Sequence, residues 1–144
     1  MIAGDTRSSN LDVSQNNGAA DLWLIKIAPN GDLIWEKTYG GSGFDVARSI
    51  EKTDDNGYLI SGSSRSSNGD LTTNQGQNDA WVIKTNADGQ IQWTKTIGGS
   101  DLDFAFDATE LNSKTIVIVG ESNSNDLDIT LNQGFTDLLI VTFK

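Results

Sequence analysis

The sequence has no cysteine, no histidine and a single proline in 144 residues. Without cysteine there is no disulfide framework, thiolate zinc site, iron–sulfur cluster or cysteine nucleophile. Without histidine there is no Ser-His-Asp triad and no imidazole general base. Basic residues are scarce as well. Ten Lys and Arg stand against 20 Asp and Glu, a formal net charge of −10. Nucleic-acid binding rests on Lys and Arg meeting phosphate, so no nucleic-acid partner is expected. No run approaches the ~20 consecutive apolar residues of a membrane-spanning helix, so no membrane insertion is expected. The opening Met1-Ile2-Ala3-Gly4-Asp5 lacks the basic start and apolar centre of a signal peptide. The expectation is an intracellular chain, or part of an exported protein whose signal lies elsewhere.

What is present points to strands and turns. Fifteen glycines accompany abundant Asn, Ser and Thr and little Ala or Leu. At 36% hydrophobic with four tryptophans, the chain can still bury a core.

The dominant signal is an internal repeat. Laid on itself so that residue 1 meets residue 59, the chain matches without a gap, with 22 identities between 1–58 and 59–116. Arg7-Ser8-Ser9-Asn10 falls on Arg65-Ser66-Ser67-Asn68, Trp23 on Trp81, Trp35 on Trp93, and Gly40-Gly41-Ser42 on Gly98-Gly99-Ser100. A third, partial copy has 10 identities in 28 between 59–86 and 117–144. The chain therefore spans about 2.5 periods, each as long as the segment 1–58.

Each period reads as four short antiparallel strands. Residues 44–53 alternate apolar and polar, a strand signature, and Asp55-Asn56-Gly57 is a tight-turn signal. Tyr58–Gly62 makes a second strand, and a polar connection occupies about 63–78. Ala80–Lys84 is a third strand, nearly continuous in apolar residues, as a strand covered on both faces must be. Ala87-Asp88-Gly89 turns the chain into a fourth, Ile91–Thr96. Four-stranded antiparallel units of this length in tandem predict an all-β, β-propeller-like fold, with a β-solenoid or stacked sandwich as the competitor. The expected units are a partial blade at 1–43 (strands two to four), a complete blade at 44–100 and a partial blade at 101–144 (strands one to three). That is ten strands in groups of three, four and three. Propellers have typically 4–8 blades, so the chain is expected to be a piece of a longer propeller, a self-assembling fragment, or rearranged at its ends. Exposed sheet edges favour pairing with another copy, of which a homodimer is the simplest closed form.

Several motifs recur in order: Asp-x-Trp-[Leu/Val]-Ile-Lys, Gly-x-[Leu/Ile]-x-Trp-x-Lys-Thr, Gly-Gly-Ser and Asp-x-Ala, with Gly-Tyr-Leu-Ile-x-Gly at 57–62. In these the chain resembles the propeller-type repeats of secreted and cell-surface proteins of Bacteroidetes bacteria. The Gly-x-x-x-Trp element is also similar to the quinoprotein-type propeller repeat, in which the Trp docks one blade on the next. The resemblance implies an extracellular or cell-surface role in adhesion, binding or scaffolding, within a parent protein. It weakens in the last copy, where Leu139 replaces the motif Trp and Phe106-Asp107-Ala108 replaces Arg48-Ser49-Ile50.

Candidate sites follow from the repeat. The polar connections carry Asp12 and Asp21, then Asp70 and Asp79, then Asp128 and Asp137, with Asn16, Asn74 and Asn132 between. Oxygen-rich clusters of this kind could ligate calcium, one ion per loop; the competing reading is turn chemistry, in which Asp and Asn bond nearby backbone N–H groups. No other cofactor is expected. Trp23, Trp35, Trp81 and Trp93 are expected to pack blade on blade, the alternative being stacking on sugar rings; Phe135 is the aromatic that stands in a polar connection. Asp45 and Asp103 either line a central channel or cap the Gly-Gly-Ser turn. Catalysis would need Asp and Glu pairs; Glu51, Glu110 and Glu121 stand outside the repeat, with nothing to mark them. Gly40-Gly41-Ser42-Gly43 lies between strands and lacks a following helix and Lys, so it is no phosphate loop. The expected function is a non-enzymatic scaffold or interaction module that assembles with itself. A carbohydrate-binding propeller and a fragment of a carboxylate-based glycoside hydrolase are the alternatives, and the expected partners are a second copy, a glycan or a protein surface.

Overall fold

A computed structural model describes residues 1–144. It contains ten strands: β1 Ile2–Thr6, β2 Asp21–Ile27, β3 Leu33–Tyr39, β4 Asp45–Lys52, β5 Tyr58–Ser64, β6 Asp79–Thr85, β7 Ile91–Ile97, β8 Asp103–Glu110, β9 Ile116–Ser122 and β10 Asp137–Phe143. No helix is long and apolar enough to cross a membrane. The strands form three sheets, ordered β1-β2-β3, β4-β5-β6-β7 and β8-β9-β10. Every strand pairing is antiparallel. The expected grouping of three, four and three strands is therefore the one found.

Local chemistry explains the strand boundaries. Asn56 holds φ 65° and Gly89 holds φ 74°, the left-handed conformation that the tight turns require. The β6–β7 turn is closed by Asn86, whose side-chain oxygen accepts the backbone N–H groups of Asp88 at 3.0 Å and Gln90 at 2.9 Å. Alternation in β7 puts Trp93 and Ile97 toward the third sheet.

The sheets stack, and side chains from both members fill each seam. Between the first and second sheets lie Leu22, Leu24 and Tyr39 on one side and Tyr58, Ile60, Trp81 and Ile83 on the other. Between the second and third lie Leu59, Ala80, Val82 and Ile97 against Ala105, Ala108, Ile116, Ile118 and Leu139. Position for position, Leu22, Leu24 and Tyr39 in the first seam become Ala80, Val82 and Ile97 in the second, each one period further along the chain. Each fully buried Leu or Ile contributes about 2 kcal/mol by leaving water. The seams are also stitched by backbone. Ala20 pairs in parallel with Phe44, and Asn78 with Leu102. The Asp45 N–H donates to Ala20 O at 2.8 Å, and the Asp103 N–H to Asn78 O at 2.7 Å.

The long connections are less polar in their packing than in their composition. Leu71 is buried in the first seam and Ile129 in the second, and Val13, their counterpart in the first copy, is buried as well. Each connection is thus pinned by one apolar side chain, which the sequence pattern hides because Ser, Asn and Gly surround it.

Candidate functional site

At each seam a buried carboxylate organises the Gly-Gly turn. Asp45, wholly buried at the start of β4, accepts the Gly41 N–H at 2.8 Å and the Ser66 hydroxyl at 2.7 Å on one oxygen. Its other oxygen accepts the Ser64 hydroxyl. Asp103 repeats this with Gly99 at 2.8 Å, Ser124 at 2.8 Å and Ser122. Of the two sequence readings of Asp45 and Asp103, the geometry is that of the turn cap. The serines were not singled out from the sequence, although Ser64 and Ser66 recur as Ser122 and Ser124 in the repeat.

A second carboxylate stands beside each cap. Asp21 and Asp79 are wholly buried, and each accepts one backbone N–H at 2.8 Å, from Asn17 and Gln75 respectively. The remaining oxygen of each, Oδ1, is buried without a hydrogen-bond partner. A methyl placed on Gly98 would lie 2.8 Å from Asp79 Oδ1 and 2.7 Å from Asp103 Oδ2, so both carboxylates face the same glycine. Burial pushes the Asp21 and Asp79 carboxyls up from the usual range; the backbone donors oppose it, and the charges of Asp45 with Asp70, or Asp103 with Asp128, add to it.

The other expected metal ligands divide. Asp12 is exposed. Asp70 accepts the Gly40 N–H at 3.0 Å, and Asp128 accepts the Gln75 side-chain amide at 2.7 Å and the Gly98 N–H at 3.4 Å. Asp137, half-buried at the start of β10, accepts the Gln133 N–H at 2.5 Å. The carboxylates that act on Asp21 and Asp79 thus belong to the neighbouring sheet and the following connection, not to the same loop. Most of their oxygens are spent on N–H and O–H donors. No group of three or more acidic side chains is arranged to hold a metal ion.

The four tryptophans occupy different settings. Trp81 is buried in the first seam. Trp35 packs against that seam, with Lys26 Nζ 5.7 Å from its ring centre. Trp23 is half-buried on the outer face of the first sheet and donates to Glu36 Oε2 at 2.8 Å. Trp93 stands edge-on to Phe143, with ring centres 5.6 Å apart, and lines a groove of about 590 Å³ with Thr94, Lys95, Glu110 and Lys114. Phe135 is exposed. Glu110 pairs with Lys114 at 2.9 Å, Glu51 accepts the Thr109 hydroxyl at 3.0 Å, and Glu121 is half-buried on β9.

The two outer faces of the stack are apolar. Leu138 is 74% exposed and Ile140 59% exposed on the third sheet, whereas their counterparts Ala80 and Val82 are 0% exposed beneath the next sheet. Ile2, Ile27, Leu33 and Ile34 are exposed on the first sheet; Phe106 and Val119 join Leu138 and Ile140 on the third; the strands of the middle sheet expose no large apolar side chain. No protein-family model matches the chain, and no curated protein matches it. The fold leaves two surface features, the apolar end faces and the groove lined by Trp93 and Phe143.

Proposed function

We propose that the chain is a non-enzymatic, propeller-type scaffold module that assembles by docking the third sheet of one copy on the first sheet of the next. The observation that carries this reading is the exposure of Leu138 and Ile140 at positions whose counterparts lie wholly buried in both internal seams. Leu22 with Leu24, and Ala80 with Val82, each pack against an Ile–aromatic or Ile–Leu surface of the following sheet. The outer face of the first sheet offers the same kind of surface in Ile2, Trp23 and Ile25. Such a contact is heterologous and generates a ring if the rotation closes, with two copies as the smallest ring. The resemblance to repeats of secreted and cell-surface Bacteroidetes proteins supports display outside the cell, as part of a parent protein. A non-catalytic role is supported by the buried carboxylates, which recur with the repeat and are engaged by turn donors.

Light scattering behind size exclusion tests the assembly. The expected result is a mass that is a small multiple of one chain, reduced to a single chain by Leu138→Lys with Ile140→Lys. A single-chain mass for the unaltered protein at every concentration would overturn the reading.

A further inference from the structure

The chain has three arginines, and all three gather at one place. Arg7 and Arg65 lie over the Phe44 ring, with their Cζ atoms 5.7 Å and 5.8 Å from its centre. Arg48 and Arg65 line a pocket of about 300 Å³ together with Phe44, Phe104, Ser63 and Asn78. The pocket lies between the second and third sheets, where β4 and β8 begin. No carboxylate lines it, and none of the three arginines forms an ion pair. Twenty acidic residues are available to ten basic ones, yet these guanidiniums rest on a ring, a contact that leaves their charge uncompensated. The lining also departs from the repeat. One period on, Phe44 becomes Leu102, Arg48 becomes Phe106 and Arg65 becomes Asn123, while Phe104 itself stands where the second sheet has Val46. A feature imposed by sheet stacking would recur, as the capping pair Asp45 and Asp103 does.

We propose that this pocket binds a small carboxylate carried on a six-membered ring. The planar guanidinium fork matches a carboxylate with two parallel N–H···O bonds, and Arg48 and Arg65 supply two such forks. Phe44 and Phe104 give the ring of the ligand an apolar surface to pack on. Ser63 and Asn78 are buried and add a few polar groups to that surface. The Asn78 side-chain amide already donates to Asp103 O at 3.2 Å, so its oxygen is the group left to accept from a ligand hydroxyl. The Arg7 guanidinium over Phe44 adds positive charge beside the site.

The inference stands apart from the assembly reading, because the pocket lies between two sheets of one chain and the assembly uses the outer faces. Titration of the full chain followed by amide chemical shifts tests it. The probes are benzoate and methyl glucuronide, their uncharged counterparts benzamide and methyl glucoside, and inorganic phosphate as an anion without a ring. Saturable binding of at least one carboxylate is expected, with shifts at Phe44, Arg48, Arg65 and Phe104. The tighter of the two carboxylates identifies the ring as aromatic or as a sugar. Its uncharged counterpart should bind about tenfold or more weakly, and Arg48→Gln or Arg65→Gln should weaken the carboxylate by a similar factor. Both arginines are exposed, so the variants should keep the amide spectrum of the fold. Absence of saturable binding by either carboxylate, equal binding of the uncharged counterpart, or tighter binding of phosphate than of both carboxylates would each overturn the proposal. Shifts confined to other residues, or undiminished binding by both variants, would overturn it as well.

Discussion

The Tyr39 hydroxyl on β3 donates a hydrogen bond to the Gly89 carbonyl in the β6–β7 turn, joining the first sheet to the second. Its counterpart in the next period is Ile97, which has no such group. Tyr39→Phe should lower the free energy of unfolding by about 1 kcal/mol, the net worth of one hydrogen bond. Burial, with the Asp70 charge second, raises the Tyr39 phenol above its ordinary value of 10.0. The folded state therefore keeps its proton where the unfolded chain would lose it. Stability is full below the ordinary phenol pKa and falls as pH rises above it. Urea unfolding at neutral pH and at alkaline pH should show that fall in the unaltered protein and a smaller one in Tyr39→Phe.

Asp103 should be among the residues whose loss costs most. Asp103→Ala strands the Ser122 and Ser124 hydroxyls and the Gly99 N–H inside the second seam, and a loss of about 3 kcal/mol is expected. Asp45→Ala should cost a similar amount in the first seam. Chemical denaturation reads both, and a loss below about 0.5 kcal/mol, the level of an ordinary surface change, would contradict the capping role.

Asp79 should behave in the opposite way. Its carboxyl is raised by burial, so it holds a proton in the folded state at pH values where the unfolded chain has lost it. The contribution is present below the unfolded value of 3.8 and is lost as pH rises through the folded one. Above that pH the seam carries an uncompensated charge opposite Asp103. Asp79→Asn keeps the shape and removes the charge. It should leave stability at neutral pH unchanged or raised by about 1 kcal/mol, and it should flatten the pH dependence above the ordinary carboxylate value. Thermal unfolding across that range measures it, and a clear loss at neutral pH would contradict the argument.

Asp55, bound by Lys84, titrates with the other sign. Lys84 is buried and reaches Asp55 at 2.8 Å, Gln92 at 3.1 Å and Thr85 O at 3.1 Å. The Lys84 hydrogen bond, followed by those of Thr53 and Gly57, holds the Asp55 carboxyl well below the usual carboxylate range. Its contribution is therefore present above the ordinary carboxylate pKa and lost as pH falls below it. Asp55 is half-exposed, so water screens the pair and the gain is modest. Asp55→Ala should cost about 1–2 kcal/mol at neutral pH, mainly by leaving the Lys84 ammonium short of a partner, and little in strong acid. Lys84→Met should cost less than Asp55→Ala, because it removes the buried charge along with its partner's bond. Urea unfolding of the two variants at neutral pH and in acid checks both statements.

Much of the fold was legible because strands and turns are specified by near neighbours. Alternation at 44–53 and the Asp55-Asn56-Gly57 turn mark β4 and the start of β5 closely. The polar connections were less legible, since Leu71 and Ile129 are single apolar residues whose burial depends on a sheet distant in sequence. The expected pairing of Asp70 with Asp79 in one calcium loop ran along the chain. The structure instead sets Asp79 beside Asp103 of the following sheet, because the parallel Asn78–Leu102 bridge brings the starts of β6 and β8 together.

By itself the amino-acid sequence determined the period, the ten strands and their turns, since each follows from side-chain alternation and from residues that tolerate positive φ. Only the tertiary structure decided which side of each sheet is covered. Trp23 and Trp81 stand in the same motif, and one is half-buried on an outer face while the other is sealed in a seam. Leu138 and Ala80 share a position in the same way, one bare and one covered. Burial is a property of what lies across the gap, and that is set by how whole sheets stack.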